Sequence, residues 1–204
     1  PFVWYWFAVD EQGTVYVYRE FTREKGDMAT MIIYDQQAEK VVERSTHVDI
    51  NGKEYREKFM FIVAGHDAWG KHVRDQKGKT IINYYQDGGL YGFIEGVKDR
   101  RLRKAVLHEY LRPYDDGNTG KKTAKLKIFN TCKKLIEMLP EMQKDPDDNE
   151  KYLDVEDHWV DALAYGLCAY HAKKSRGLKS EKSELEKDRE RLWKSIRMKN
   201  RRFM

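Results

Sequence analysis

Two groups of acidic residues stand where they could hold a cation. Asp67 lies in Gly65-His66-Asp67-Ala68-Trp69, directly after the apolar run Phe59-Met60-Phe61-Ile62-Val63-Ala64. That run reads as a central strand buried on both faces, and the carboxyl end of a strand in an open α/β sheet is where ligands bind. The second group is Asp157-His158-Trp159-Val160-Asp161-Ala162-Leu163. Trp159, Ala162, Leu163, Gly166, Leu167 and Tyr170 form a stripe at helical spacing, so a packed helix is expected from Glu156 to Lys173. Asp157 and Asp161 are one turn apart on it, with His158 three residues before Asp161, and all three project from neighbouring positions. Two carboxylates and an imidazole near one helix end, with a third carboxylate at a strand exit, suit a divalent cation. Each feature also has a structural use: acids after strands and at helix starts cap turns and favour the helix dipole.

The elements between them must bring these groups together. Phe2–Val9 and Thr14–Phe21 are aromatic and β-branched around the turn Asp10-Glu11-Gln12-Gly13, which predicts a β-hairpin. Asp27 can cap a helix with apolar positions Met28, Met31, Ile32, Ala38, Val41 and Val42. A helix over Thr80–Gln86 stopped by Gly88-Gly89, a short strand at Tyr91–Ile94, and a basic helix over Asp99–Leu111 with Leu102, Val106 and Leu107 inward follow. Leu126–Phe129 reads as an edge strand before a helix through Leu135, Ile136 and Leu139, with polar loops at 113–122 and 144–151. Strands alternating with helices after a hairpin predict an α/β fold with a sheet of mixed direction.

Composition narrows the partners. The chain has 39 Lys or Arg against 34 Asp or Glu, but 13 and 5 of these fall from Lys173 to Met204, leaving 26 against 29 in the rest. A slightly acidic body with a basic tail suggests a polyanionic partner. No apolar run approaches the roughly 20 residues of a membrane span, so a soluble, intracellular protein is expected. Cys132 and Cys168 lack zinc or disulfide-scaffold spacing and are expected to be buried free thiols. No GxxxxGK[ST] motif is present, so ATP hydrolysis is not expected of these residues.

In order along 1–170 the chain resembles the nuclease domain of the large terminase subunit of tailed bacteriophages. The resemblance is carried by Phe7-Ala8-Val9-Asp10-Glu11-Gln12-Gly13-Thr14-Val15-Tyr16-Val17 with Arg19-Glu20, by Ala64-Gly65-His66-Asp67-Ala68-Trp69, and by Phe129-Asn130-Thr131-Cys132 with Leu135-Ile136. Its most specific part is Asp157-His158-Trp159-Val160-Asp161-Ala162-Leu163-Ala164-Tyr165-Gly166, similar to the family pattern Asp-His-x-x-Asp-Ala-Leu-Arg-Tyr-Gly with Ala164 in place of the arginine.

The resemblance implies an α/β, ribonuclease H-like mixed sheet flanked by helices over 1–173, with a basic C-terminal helical tail over 174–204. It implies a metal-dependent endodeoxyribonuclease that cuts concatemeric double-stranded viral DNA during genome packaging, using Mg²⁺ or Mn²⁺, with two ions expected. Two such ions about 4 Å apart can activate a water, hold the scissile phosphate and neutralise the departing oxygen. Asp67 and Asp161 match metal-binding acids, and His158 and Asp157 would support them. The family's first acid sits in the opening strand, ahead of a proline that Pro1 matches, so it is expected to precede this chain, which alone would then be inactive. Asp10 is a poorer substitute because it heads the hairpin turn. Lys71, His72, Arg74, Lys77 and Lys79, and Lys98, Arg100, Arg101, Arg103 and Lys104, are candidates to grip DNA phosphates without reading sequence. Implied partners are an ATPase motor domain upstream in the full-length chain, a portal protein and a small terminase subunit, in the host cell cytoplasm rather than in the virion, and with no membrane. Two alternatives stay open: a ribonuclease H-like Holliday-junction resolvase or transposase-type nuclease, and a non-catalytic module docking on DNA or the portal.

Overall fold

The computed structural model describes residues 2–23, 34–70, 78–117, 119–142 and 158–180. The chain divides into two units, Pro1–Ala169 and Tyr170–Met204. In the first, β1 (Phe2–Val9) and β2 (Val15–Arg23) form the expected hairpin, antiparallel with a register shift between Trp6 and Phe7. The Asp10 carboxylate accepts from the Thr14 amide at 2.7 Å and from the Tyr16 hydroxyl at 3.0 Å, holding the turn closed. On the other side of β2, β9 (Leu126–Ile128) pairs in parallel and forms an edge of the three-stranded sheet β1-β2-β9.

The run at Phe59–Ala64 is not a strand buried on both faces. Only Ile62–Ala64 is extended, as β5, and all three residues are half-buried, while Met60 is 70% exposed. Among the described residues β5 has one partner, β6 (Phe93–Glu95), in parallel register. The strands therefore form a three-stranded mixed sheet and a separate parallel pair, where one sheet was expected. Two further ladders, β3 (Thr46–Val48) with β4 (Glu54–Arg56) and β7 (Tyr114–Asp115) with β8 (Lys122–Thr123), are short and antiparallel; the last structures part of the expected 113–122 loop.

The hairpin and the parallel pair share a core. Trp6 and Phe21 are buried with Ala38 and Val41 of α1 (Tyr34–Arg44) and with Tyr85 of α2 (Ile81–Asp87), and Trp4, Ile62 and Phe93 pack against them. Trp4 meets the rings of Tyr85 and Phe93 at 5.6 and 6.4 Å. Burying each such side chain contributes about 1.5–3 kcal/mol. The expected start of α1 at Asp27, with Met28, Met31 and Ile32, lies outside the described residues. Thr80 caps α2 in a reciprocal pair with Asn83, as its Oγ accepts the Asn83 amide and Asn83 Oδ1 accepts the Thr80 amide.

Helix α3 (Arg100–Leu111) is capped by Asp99, whose Oδ1 accepts from the amides of Arg101 and Leu102. Leu102 was expected inward but is 48% exposed. The buried stripe is Arg103, Val106, Leu107 and Tyr110, an i, i+3, i+4, i+7 series from which Leu102 is out of phase. Helix α4 (Lys133–Glu141) receives its cap from the sheet, the Glu20 carboxylate accepting from the amides of Lys134 and Leu135 at 2.7 and 3.1 Å. Helix α5 (His158–Ser180) buries Trp159, Val160, Leu163, Ala164, Leu167 and Cys168, a wider face than the expected stripe. Gly166 lies against β1: a Cβ there would stand 2.5 Å from the Phe7 ring. Cys132 and Cys168 are buried free thiols, as expected. The second unit contributes, among the described residues, 170–180 of α5; residues 181–204 of the basic tail and the 144–151 loop lie outside them. No described helix is long and apolar enough to cross a membrane.

Candidate active site

Both halves of the site are set by strand exits. After β5, Gly65 is extended (φ −57°, ψ 150°) and His66–Trp69 form one 3₁₀ turn, closed by hydrogen bonds from Ala68 N–H to Gly65 C=O and from Gly70 N–H to Asp67 C=O. Ala68 is buried and anchors the turn, which leaves His66 and Asp67 exposed. After β6, the Gly96 amide donates to Ala64 C=O at 2.8 Å, carrying the parallel ladder one residue further.

Tyr165, one turn beyond Asp161 on α5, packs over both glycines. A Cβ at Gly96 would stand 2.4 Å from its ring, and a Cβ at Gly65 would stand 3.7 Å from its Cε2 and 2.5 Å from Asp67 Oδ1. Asp67 and Tyr165 thus approach the same backbone point. Burial raises the Tyr165 phenol above its ordinary value; the Arg103 charge lowers it, and Asp161 and Asp67 both raise it. Two carboxylates from distant parts of the sequence therefore lie within electrostatic reach of one ring.

Arg103 ties the second carboxylate down. Its Nη2 donates to Asp161 Oδ1 and Oδ2 at 3.0 and 3.1 Å, its Nη1 donates to the carbonyls of Val97 and Lys98 at 2.9 and 3.0 Å, and its guanidinium lies 4.7 Å from the Tyr165 ring centroid. The Arg103 side chain is 5% exposed and that of Asp161 26%. Arg103 was grouped with the DNA-gripping cations; it is instead buried, with its charge turned inward to Asp161. Burial and the nearby Arg103 charge act oppositely on the Cys168 thiol, and burial prevails, pushing it up to about 11.

The remaining expected residues fall as follows. His158 is exposed at the start of α5, in the same first turn as Asp161. Arg100 and Arg101 are exposed in the first turn of α3, and the Arg100 charge reaches Tyr165. Lys79 pairs with Asp87 at 2.5 Å and lies over the Tyr84 ring. Asp157, Lys71, His72, Arg74 and Lys77 lie outside the described residues. Among the described residues no group of three or more His, Cys, Asp or Glu side chains could hold a metal ion. Their donors fall short of a complete set, with two carboxylates beside Tyr165, one of them held by Arg103. Sequence reasoning missed the roles of Tyr165 and Gly96. It missed the inward Arg103 as well, although the phase of Val106, Leu107 and Tyr110 was the signal for it. No protein-family model matches the sequence, and no curated protein or solved structure matches it.

Proposed function

We propose that this chain is the nuclease part of a large terminase: a ribonuclease H-like, metal-dependent endonuclease that hydrolyses phosphodiester bonds of concatemeric double-stranded DNA during viral genome packaging. The observation that carries this reading is that Asp67, at a strand exit, and Asp161, on a late helix, are gathered around the Tyr165 ring. They meet at the carboxyl ends of the parallel pair β5-β6, the end of an open α/β sheet where ligands bind.

The strand edges are compatible with it. Among the described residues β1 pairs only with β2 and β5 only with β6, while Trp4 of β1 packs on Phe93 of β6. A strand laid between β1 and β5 would join the two pieces into one mixed sheet, and in the family the first acid sits on such a strand. On this reading Asp67 and Asp161 hold Mg²⁺ or Mn²⁺ together with that acid, and His158 and Asp157 support them. The exposed Arg100 and Arg101 face DNA phosphates, a grip independent of base sequence.

The test is nicking of supercoiled plasmid by the longest natural polypeptide that contains this chain, with Mn²⁺ supplied. Nicking that disappears with Asp67→Ala and with Asp161→Ala is the expected result; undiminished nicking by both variants overturns the site. A second reading, a non-catalytic module docking on DNA or the portal, is favoured by the commitment of Asp161 to Arg103. It predicts DNA or portal binding with no cleavage under any metal. Preference for four-way junctions over linear duplex would favour a resolvase instead.

A further inference from the structure

The described donors do not form a finished cation site, and the reason lies in one side chain. Both oxygens of Asp161 already accept from Arg103, a guanidinium that is 5% exposed and fixed in place by two carbonyls after β6 and by the Tyr165 ring. Such a charge cannot swing into solvent without breaking four hydrogen bonds and exposing buried surface. Its Nε has no partner among the described residues, so its remaining interactions weigh the more. Asp161 itself is about a quarter exposed, which leaves part of the carboxylate open to a second cation.

We propose that Arg103 is the resident counter-ion of Asp161, and that a divalent cation reaching Asp161 must share that carboxylate with Arg103 against its positive charge. The proposal rests on Asp161 being a cation ligand, as the nuclease reading holds. Arg103 is on this account a positioning residue with an opposing electrostatic effect. It fixes the carboxylate relative to the β6 exit while lowering the affinity of that carboxylate for a divalent ion. A fixed unit charge roughly 6 Å from a divalent ion in a water-like medium weakens binding by about tenfold.

The experiment is Mn²⁺ binding, read from the free-ion paramagnetic resonance signal, to the wild-type protein and to Arg103→Gln, Arg103→Lys and Asp161→Asn. Arg103→Gln, which removes the charge but can still donate hydrogen bonds, is expected to tighten Mn²⁺ about tenfold. Arg103→Lys, which keeps the charge, is expected to stay near wild type, and Asp161→Asn to lose the site. A merely structural role for Arg103 would loosen the site in the glutamine variant, so equal or weaker binding by folded Arg103→Gln overturns the proposal while the Asp161→Asn loss leaves the nuclease reading standing. If Asp161→Asn binds Mn²⁺ as wild type does, both fall. A measurement on the unmutated protein covers a glutamine variant that fails to fold: during a Mg²⁺ titration the Arg103 guanidinium nitrogen resonances should move over the same concentration range as the Asp161 amide. An Arg103 signal that stays fixed while Asp161 moves contradicts the shared carboxylate.

Discussion

The two carboxylates at the candidate site differ in what they do for the fold. Asp161 neutralises an arginine that is 4% exposed, so its loss strands a buried charge, whereas Asp67 stands exposed on a 3₁₀ turn. Removing one partner of a buried pair costs about 3–5 kcal/mol, and the partial exposure of Asp161 brings the expectation for Asp161→Ala to about 2–3 kcal/mol. Asp67→Ala should change stability by no more than about 0.5 kcal/mol. Urea denaturation of the two variants measures the difference, and equal losses would show that Arg103 does not depend on Asp161. The acids were legible in the sequence because each interrupts an apolar segment. Arg103 was misread because a basic run, Arg100-Arg101-Leu102-Arg103-Lys104, resembles a solvated face until its helical phase is fixed by Val106 and Tyr110.

Glycines decide how closely α5 can approach the strands. At Gly166 an alanine would ordinarily favour the helix by about 1 kcal/mol, but its Cβ would stand 2.5 and 2.6 Å from two atoms of the Phe7 ring. Overpacking of that kind costs about 1–3 kcal/mol. Gly166→Ala is therefore expected to lower stability by about 1 kcal/mol, the reverse of its helix propensity. Gly96→Ala, which would press a Cβ to 2.4 Å from the Tyr165 ring, should be destabilising too and should shift the Tyr165 ring resonances. Thermal unfolding and aromatic proton spectra check both; a stabilised Gly166→Ala would mean that α5 does not seat on β1 as described. Hairpin, capped helices and the α5 face were readable from local pattern, since turn residues, caps and helical phase act over a few positions. The close seating at Gly96 was not, because the ring that needs it lies far along the chain.

For the molecule as a whole, burial of weakly acidic side chains sets the response to alkali. Burial raises Cys168 to about 11 from 9.0, and Tyr5, Tyr18 and Tyr85 are also raised chiefly by burial. A group whose folded value is raised binds its proton more tightly when folded, so its contribution is complete below the unfolded value and is lost as pH rises through the folded one. The melting temperature should hold below pH 9 and fall as pH rises from about 9 to 11, less steeply in Cys168→Ala. A melting temperature that rises over that range would contradict the burial of these groups. The α/β class was legible from alternating strands and helices. The division into a three-stranded sheet and a parallel pair was not, since an apolar run such as Phe59–Ala64 fixes neither how much of it is extended nor what lies at its edges.

The central claim is that Asp67 and Asp161 serve one cation. Paramagnetic broadening tests it most directly, by adding Mn²⁺ in small steps to isotope-labelled protein and following the amides of 64–68 and 159–162. The account predicts that both groups broaden together over the same Mn²⁺ range, and that Asp67→Asn or Asp161→Asn suppresses the effect at both places. Broadening at one group that leaves the other sharp, or that survives both substitutions, would contradict it.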